Sequence, residues 1–398
     1  MVKLSLSSRL TVAANFLKMK NSLIITFLAI VCLSCQENTG SQNTELNPLK
    51  VREFNLELDS VTGFVSPFLQ YSLENKTPSL YTINTNSQHI YRYNLNNGKI
   101  LERYPYFLEG PNGIGRRIDA FFVHSRDSIF VLDGWKGVIS IIDHNGNVLN
   151  KFNMAPKGVN KGFPFPTGSS KTPLTIVDDK IVVASMIIKI PQIENIESPF
   201  IEYDMNTDSI EYRLQRPEIN NLVHWGGTAM NLIYYDYDPE HNLYYISYSN
   251  YDKLIISDLK DVKIELPTPS RHFSELTPYS KDPNASPTKE EVFKYYATSP
   301  RYYGVYHDPY RNYIYRLAEY PNQATDYKPG VMDSKMSVIV IDKTSKKIVG
   351  EFDFNKEDYD FRMIFVSKEG LNLASKTDFS ENEDVLSFHT FIIENEVP

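Results

Sequence analysis

Arginine and aromatic residues stand just ahead of several short apolar runs in this sequence, a position that could bring them onto one surface. The guanidinium group of arginine presents a planar fork of donors that fits carboxylate, sulfate or phosphate groups. An aromatic plate beside such forks suits a sugar ring or a planar ligand. We therefore predict a ligand-binding surface formed by residues of this kind. They are Arg116, Arg117, His224, Trp225, Arg301, Tyr302 and Arg362.

A second interpretation applies to part of this set. The chain has 49 acidic residues against 41 basic ones, so each arginine could instead pair with a carboxylate in its own neighbourhood. Trp225 precedes Gly226 and Gly227. A large aromatic side chain in a glycine loop either fills a central channel or forms a platform for a ligand. The sequence leaves these alternatives open.

Catalysis on a polysaccharide would need an acid and a base, or two carboxylates at a fixed separation, in one cleft. The candidates are Asp119, Asp236, Asp238 and His224. The spacings H-E-x-x-H and G-x-S-x-G do not occur, and the glycine-rich segment 110–115 lacks the Lys-Ser/Thr pair of a phosphate-binding loop. We therefore predict no metal, no cofactor and no catalytic residue, and keep a polysaccharide lyase or glycoside hydrolase as the alternative.

A turn pattern that recurs five times predicts the elements that position these residues. Each copy is rich in Asn, Asp, Gly and Ser, which tolerate positive φ or hydrogen-bond their own backbone. Each copy also separates two apolar or alternating runs, as a β-hairpin turn does. A repeat of roughly 50 residues is typical of propellers or solenoids. The copies are residues 94–100, 143–148, 204–210, 258–264 and 342–348.

Four predicted strands and one such turn, five times over, indicate five blades of a β-propeller. A sixth blade has only three strands, at Arg362–Ser367, Leu371–Lys376 and Leu386–Ile393. An open edge there would invite wrong pairing, and the alternating segment Val51–Leu58 can fill it. The sequence therefore predicts an all-β, six-bladed propeller whose ring is closed by the N-terminal strand.

Three long segments interrupt the blades. Residues 154–173 are rich in Gly, Pro, Lys and Ser and are predicted to form a loop, and residues 320–336 form another. Residues 267–300 carry several prolines, and within them Thr288-Lys289-Glu290-Glu291 matches a capping box. One short helix is predicted there. Long ordered loops on a rigid scaffold commonly carry binding sites.

The first 35 residues are predicted to be a leader and not part of the fold. Lys18 and Lys20 precede an apolar run at Leu23–Leu33, which is too short to span a bilayer and is typical of a secretory signal. Ser34-Cys35 fits the end of a lipoprotein signal, so we predict lipidation at Cys35. Cleavage of an ordinary signal peptide near Ser34 is the alternative.

Residues 36–48 are polar and are predicted to form a flexible tether, which leaves residues 49–398 for the propeller. Both cysteines, Cys32 and Cys35, lie in the leader, so disulfides, Cys metal sites and Cys nucleophiles are excluded from the propeller. The formal net charge is −8, and near −12 without the four basic residues of the leader. Nucleic-acid binding needs a basic surface, so no nucleic-acid partner is expected.

The leader ending in Leu33-Ser34-Cys35, the polar tether and the D-x-x-[NTS] hairpins across residues 50–395 together resemble a known group of proteins. They are similar to six-bladed β-propeller lipoproteins of Bacteroides-type bacteria, many in families of unknown function with NHL- or TolB-like architecture. The resemblance implies an envelope location, attachment to the membrane through a lipid such as palmitate at Cys35, and a binding role. It implies no catalytic residue.

Taken together, these patterns predict an envelope-anchored, non-catalytic binding lipoprotein, on the periplasmic face or the outer-membrane surface. One face of its propeller would meet a protein, a peptide or an anionic glycan. A third possibility is a subunit of an outer-membrane complex. Exposed Tyr295-Tyr296 and Tyr302-Tyr303 would support that role.

Overall fold

The computed structural model describes residues 44–393, except 64, 65, 67, 75, 116, 155–163, 187–197, 219–221 and 323–333. The predicted leader, Cys35 and Arg116 lie outside the described residues. No described helix is long and apolar enough to cross a membrane. The described chain forms six antiparallel sheets, and these are the six blades of a propeller, as predicted.

Strand β1 (Pro48–Glu57) opens the described chain, and the first three complete blades follow it in order. Blade one contains β2 (Leu69–Glu74), β3 (Thr77–Asn84), β4 (His89–Asn94) and β5 (Ile100–Pro105). Blade two contains β6 (Ala120–Ser125), β7 (Ser128–Asp133), β8 (Val138–Ile142) and β9 (Val148–Asn153). Blade three contains β10 (Phe165–Thr167), β11 (Thr175–Val177), β12 (Lys180–Met186), β13 (Phe200–Asp204) and β14 (Ser209–Arg213).

The other three blades come with two short α-helices among the described residues, besides a single 3-10 turn at Thr228–Met230. Blade four contains β15 (Ile233–Asp238), β16 (Leu243–Tyr248), β17 (Lys253–Ser257) and β18 (Val262–Pro267). Helix α1 (Lys289–Thr298) precedes blade five, which contains β19 (Arg301–Asp308), β20 (Tyr313–Pro321), β21 (Ser334–Asp342) and β22 (Ile348–Phe354). Blade six contains β23 (Tyr359–Ser367), β24 (Gly370–Ser375) and β25 (Val385–Ile393), with helix α2 (Lys376–Glu381) between the last two.

The five recurring turns form the hairpins between the last two strands of blades one to five. Asp143 shows why acidic and amide residues occupy them: its Oδ1 accepts the backbone N–H groups of Asn145 and Asn147 at 2.9 and 2.8 Å. Gly98 has φ +73°, and a side chain there would clash with the backbone carbonyl of Asn55 in β1. The turn chemistry therefore sets both the hairpin and the packing of blade six against blade one.

Apolar side chains fill the spaces between neighbouring blades. Six buried clusters are present among the described residues, and each joins one pair of adjacent blades. One of them contains Leu56 of β1, Tyr91 and Tyr93 of blade one, and Met363 and Phe388 of blade six. Burial of each large apolar side chain contributes about 1.5–3 kcal/mol. The packing of blade six on blade one thus matches that at the other five interfaces.

The N-terminal strand lies at the outer edge of blade six. β1 pairs antiparallel with β25, from Arg52 opposite Thr390 to Glu57 opposite Val385. Just before it, Glu45 bridges to Glu351 of blade five, where Leu46 N donates to the Glu351 carbonyl at 2.9 Å. Residues 44–46, which belong to the segment predicted as a tether, therefore already hydrogen-bond to blade five.

Two details differ from the sequence-based prediction. The segment 154–173 is not only loop, since β10 pairs with the end of β12, with Phe165 opposite Met186. This short strand of blade three has no alternating pattern long enough to detect. The capping box of α1 is confirmed, and a second helix, α2, was not predicted although Ser375 Oγ caps it by accepting the N–H of Asp378 at 3.2 Å.

Candidate functional site

A cavity of about 600 Å³ lies between blades three, four and five. It is bounded by the segment between β10 and β11, the end of β12, the segment that leads into β15, and aromatic residues of α1 and β19. Because connections that feed inner strands of a propeller share one face, the cavity belongs to that face. Its principal polar and aromatic lining residues are Lys171, Arg216, His224, Trp225, Tyr234, Tyr296 and Tyr303.

The segment that carries Lys171 is held from several sides. Ser169 and Thr172 form a bridge in which their backbone groups hydrogen-bond at 3.1 and 3.2 Å. The carbonyl of Lys171 accepts the N–H of Tyr235 from β15 at 3.1 Å, and Ser170 Oγ donates to the carbonyl of Arg362 in β23 at 3.0 Å. The segment is thereby fixed to blades four and six, and the side chain of Lys171 has little freedom to move away.

The Lys171 ammonium group lies against aromatic rings and has no carboxylate within ion-pair distance among the described residues. Its Nζ is 3.2 Å from the ring centre of Tyr303 and 5.0 Å from that of Tyr234. Lys171 is only 9% exposed. Burial lowers the pKa of Lys171 to about 7, because the low-polarity surroundings disfavour the charged form.

Trp225 is the second unusual group. Its side chain is 4% exposed, and its indole Nε1 has no hydrogen-bond partner among the described residues. The bend that inserts this ring depends on Gly226, at φ +70°, where a Cβ would lie 2.5 Å from the ring of Tyr295. A buried donor without a partner destabilises a fold by about 1–3 kcal/mol. Such a donor in a cavity wall is suited to bind an acceptor on a ligand.

His224 supports the same loop. Its backbone N–H and C=O both bond to Ser280 of the long insertion, at 2.9 and 3.1 Å. Its Nδ1 accepts the N–H of Gly226 at 3.0 Å, and its ring packs edge-on against Tyr279. His224 therefore orients the glycine loop as well as lining the cavity.

The structure brings some of the sequence-predicted site residues to the cavity. His224 and Trp225 line it. Arg301 and Arg362 act electrostatically on Lys171 from the neighbouring strands, but each is already paired. Arg301 Nη2 lies 2.6 Å from Glu319 Oε2, with both side chains at most 2% exposed.

The remaining predicted residues have other partners. Arg362 forks onto the carboxylate of Asp360, with contacts of 2.6 to 3.2 Å. Arg117 pairs with Asp119 at 2.6 Å. The interpretation in which arginines pair with nearby acids thus describes Arg117, Arg301 and Arg362.

Tyr302 points away from the cavity into the packing between blades four and five. The guanidinium carbon of Arg316 lies 3.3 Å from its ring centre, and its hydroxyl donates to the Thr268 carbonyl at 3.3 Å. The neighbouring residue Tyr303 reaches the cavity instead. A register shift between Tyr302 and Gly304 in β19 separates the two rings, and no sequence signal distinguishes which tyrosine faces which side.

Sequence reasoning missed Lys171 and Arg216 altogether. Lys171 stands in a segment that resembles an ordinary polar loop, and only the pairing of that segment with β15 and β23 buries it. Arg216 Nη1 donates to the carbonyl of Asn231 at 2.7 Å, which places its guanidinium in the cavity wall. No local motif marks either residue.

The cavity wall is cationic and aromatic. Among the described residues that line it, Lys171, Arg216 and His224 are basic and none is Asp or Glu. Serine and threonine hydroxyls, including those of Ser169 and Thr228, add neutral hydrogen-bonding groups. This arrangement can bind an anion, whereas the paired carboxylates of a glycoside hydrolase are missing from the described lining.

The acidic residues considered for catalysis serve the fold elsewhere. Asp238 is fully buried and its Oδ2 contacts His241, His307 and Lys343 at 3.0 to 3.4 Å. Burial lowers the pKa of His307 to about 4, so its neutral ring contacts the Lys343 ammonium at 3.1 Å. These residues surround the turn after β15, away from the cavity lining.

Within the part of the chain that the structure describes, two groups of His and carboxylate side chains could hold a metal ion. In each, the potential ligand atoms lie within 4.8 Å of one another. Hydrogen bonds within each group, such as His389 Nε2 to Asp378 Oδ2 at 2.9 Å, account for the geometry without an ion. The groups are Glu53, Asp378 and His389, and Asp238, Glu240 and His241.

Replacement of Asp236 by Asn is expected to stabilise the protein at neutral pH. Burial raises the pKa of Asp236 from 3.8 to about 6, which corresponds to about 3 kcal/mol at pH 7. The Asn side chain can still accept the N–H of His307, which lies 2.8 Å from Asp236 Oδ2 in the natural protein. It loses the hydrogen bond from the Tyr237 N–H, which is worth about 1 kcal/mol. Urea unfolding should therefore show a net gain of about 2 kcal/mol.

The pH dependence checks the sign of this effect. The pKa of Asp236 is higher in the folded protein than in the unfolded chain. The contribution of Asp236 to the free energy of unfolding is therefore fully present below about pH 4 and is lost as pH rises through 6. The advantage of Asp236→Asn should therefore be small at pH 4, grow up to about pH 6 and stay constant above it. An advantage independent of pH would contradict a buried, protonatable Asp236.

Comparison with known proteins places this chain in a family. A search of curated proteins found no match. A solved structure of a DUF4221 family member from Bacteroides vulgatus is similar, with 23% identity over 88% of this chain and 99% of that one, and a TM-score of 0.75.

A second solved structure, a putative exported protein from Bacteroides fragilis, is 10% identical over 88% of this chain and 98% of its own, with a TM-score of 0.53. At these identities the likeness shows the fold alone. A family model, described as a domain of unknown function (DUF4221), matches residues 49–352. The chain therefore belongs to the DUF4221 family.

Proposed function

We propose that this protein is an envelope binding protein that holds an acidic sugar, free or at the end of a glycan, in the cavity beside Lys171 and Trp225. The observation that carries the proposal is the charge of the cavity wall. Its described lining contains three basic residues and no carboxylate. The protein as a whole is acidic, with a formal net charge of −8, so this local reversal of sign is specific to the cavity.

The energetics of Lys171 favour an anionic ligand. A buried cation without a carboxylate partner is unfavourable, and the faces of Tyr303 and Tyr234 offset only part of this cost, about 0.5–2 kcal/mol for a cation over a ring. A ligand carboxylate beside Nζ would supply the missing partner. A charge-assisted hydrogen bond is roughly twice as strong as a neutral one, so this contact would dominate recognition.

The shape and the other walls suit a sugar. Ligand pockets commonly measure 300–1,000 Å³, and the cavity of about 600 Å³ has room for one or two rings. The rings of Trp225, Tyr296 and Tyr303 line it, while Ser169 and Thr228 provide hydroxyls for sugar hydroxyl groups. The indole Nε1 of Trp225 is buried and has no partner among the described residues, so a ligand oxygen that reached it would supply the missing acceptor.

The envelope location is supported by two features. The leader with Lys18, Lys20 and the apolar run Leu23–Leu33 is typical of a secretory signal, and the B. fragilis protein of similar fold is a putative exported protein. We propose that lipidation at Cys35 anchors the protein to a membrane. Labelling of cells with a clickable fatty acid, comparing Cys35→Ala with the natural chain, tests the anchor.

Calorimetric titration with glucuronate, and with glucose as the uncharged sugar, tests the binding role. We expect glucuronate to bind and glucose to bind at least tenfold more weakly. Lys171→Met should weaken glucuronate binding by at least tenfold, because the charged contact is worth roughly 1.5–3 kcal/mol. Trp225→Phe, which keeps an aromatic ring but removes the N–H, should weaken it by about threefold to tenfold.

The matched control is Lys263→Met. Lys263 lies on β18 with its side chain 42% exposed and is not among the residues that line the cavity, so its loss should leave binding unchanged. Affinity for glucuronate should also fall as pH rises through about 7, where the Lys171 ammonium loses its charge. Equal affinities in the natural protein, Lys171→Met and Trp225→Phe would rule out the cavity as the binding site.

A further inference from the structure

Lys171 offers the cavity a nucleophile as well as a charge. We propose that Lys171 Nζ forms a reversible imine with small carboxylates that also carry an aldehyde or ketone group. This inference rests on the proposed function, since the same cavity must admit the ligand. It goes further by assigning a covalent step and a narrower ligand class, the oxo acids and the open-chain form of acidic sugars.

The placement of Nζ is what a reactive amine requires. The amine must be desolvated, must lack a carboxylate that would hold it protonated, and must face a space that admits a carbonyl compound. Lys171 is 9% exposed and lines the cavity. Among the described residues no carboxylate lies within 4.0 Å of Nζ, and its nearest aromatic neighbour is the face of Tyr303 at 3.2 Å.

The charged groups around Lys171 come from three strands. Arg301 of β19 and Arg362 of β23 disfavour the ammonium form, while Glu319 of β20 and Asp360 of β23 favour it. The two carboxylates are largely neutralised, Glu319 by Arg301 at 2.6 Å and Asp360 by Arg362 at 2.6 Å.

The tyrosines on the other sides add no charge near neutral pH. Burial raises the pKa of Tyr234 and of Tyr303, so both hydroxyls stay protonated. Burial is also the main reason why the pKa of Lys171 falls to about 7. A large share of Lys171 is therefore neutral amine at neutral pH, when an ordinary lysine with a pKa near 10.4 is almost fully charged.

The reaction needs no co-reactant. The nitrogen lone pair attacks the carbonyl carbon, the C=O electron pair moves to oxygen, and a proton passes from nitrogen to that oxygen to give a carbinolamine. Loss of water then forms the C=N bond. Amine and carbonyl compound thus give imine and one water, with no change of oxidation state, and hydrolysis returns both.

The rest of the wall explains the preference for a carboxylate. Arg216 and His224 line the same cavity, and the Trp225 N–H has no partner among the described residues. In a 2-oxo acid, unlike in the acidic sugar whose carboxylate meets the charged form of Lys171, a carboxylate held by these groups would leave the adjacent carbonyl facing the neutral amine of Lys171. Binding in one orientation raises the effective concentration of the carbonyl at the amine.

Reductive trapping tests the proposal. The full-length protein is incubated at pH 7 with pyruvate and cyanoborohydride, which delivers hydride to the imine carbon and fixes the adduct as a secondary amine. Peptide mapping by mass spectrometry locates it. We expect one dominant adduct at Lys171, none with lactate, which has the same charge and no carbonyl, and none at this position in Lys171→Met or Lys171→Arg. Thermal melting confirms that both variants are folded.

The pH profile separates a reactive lysine from an accidental one. The trapping rate at Lys171, corrected for the reagent with a free amine standard, should rise up to about pH 7 and then level off. A rate that keeps rising tenfold per pH unit to pH 9 is that of an ordinary lysine and would overturn the proposal. Glyceraldehyde, an uncharged carbonyl compound, should label Lys171 at least tenfold more slowly than pyruvate, and equal rates would overturn the carboxylate preference.

The experiments distinguish a failure of the imine proposal from a failure of the proposed binding of acidic sugars. If glucuronate binds through Lys171 and Trp225 but pyruvate and glyceraldehyde give no adduct at Lys171, the imine is wrong and the binding site stands. If adducts are spread over surface lysines and Lys171 is not preferred, the imine is also wrong. A dominant Lys171 adduct without glucuronate binding would support the reactive amine and contradict the acidic-sugar assignment.

Discussion

Removal of residues 1–58 is expected to abolish cooperative folding. The deletion takes away β1, which pairs with β25 from Pro48 opposite Ile393 to Glu57 opposite Val385. It also removes Leu56, which is fully buried, and Phe54, whose ring stacks on Phe388 at 5.4 Å. The free edge of β25 and the uncovered apolar cluster would then favour aggregation.

The size of the expected loss of stability follows from the contacts that the deletion removes. Burial of Leu56 contributes about 1.5–3 kcal/mol. The partly buried Phe54 and the backbone pairing of β1 add to it, against a typical total stability of 5–15 kcal/mol. We expect aggregated protein or a broad melting transition without a defined midpoint. Size-exclusion chromatography detects the aggregation, and circular dichroism follows the melting transition.

A protein that begins at Thr44 is the matched control. It keeps the bonds of Leu46 and Thr44 to Glu351 as well as β1, and should melt within a few degrees of the full-length chain. If the protein lacking residues 1–58 melts as sharply as the one that begins at Thr44, then β1 does not complete the sixth blade as described.

Replacement of Glu319 by Ala is expected to destabilise the protein by about 3–5 kcal/mol. Glu319 is 1% exposed and binds Arg301 at 2.6 Å, Ser334 Oγ at 2.7 Å and the ammonium of Lys356. Burial alone would raise the pKa of Glu319, but Arg301 and Lys356 hold it below its usual value. Without the carboxylate, the guanidinium of Arg301 stays buried and uncompensated.

Urea unfolding of Glu319→Ala beside Glu265→Ala measures this effect. Glu265 pairs with Lys253 at 2.9 Å, but both side chains are more than one-third exposed, so its loss should change the free energy of unfolding by less than about 1 kcal/mol. Similar losses in the two variants would mean that water screens the Arg301–Glu319 pair, contrary to the burial described here.

The blades could be predicted from sequence because their signals are local. An Asp, Asn or Gly at a fixed offset sets each hairpin turn, as Asp143 and Gly98 illustrate, and alternating apolar residues set the strands between them. The helix α1 was predictable for the same reason, since Thr288 and Glu291 form its capping box. The short strand β10 lacked such a pattern because only three residues pair.

The candidate site was harder to predict from the sequence, because residues far away in the chain determine which of its side chains are buried and which are paired. Arg301 and Glu319 are 18 residues apart and meet across a strand pair, so nothing near Arg301 in the sequence marks it as occupied. Lys171 becomes unusual only because β15 and β23 enclose its loop. His224 and Trp225 were identifiable from the glycines that follow them, which fix a bend next to the cavity.

A crystal structure of the protein with glucuronate would show where the sugar binds. We expect it in the cavity of blades three to five, with its carboxylate within hydrogen-bond distance of Lys171 Nζ and an oxygen facing the indole N–H of Trp225. Sugar bound elsewhere, with this cavity occupied only by solvent at a concentration that saturates binding in solution, would contradict the proposed binding site.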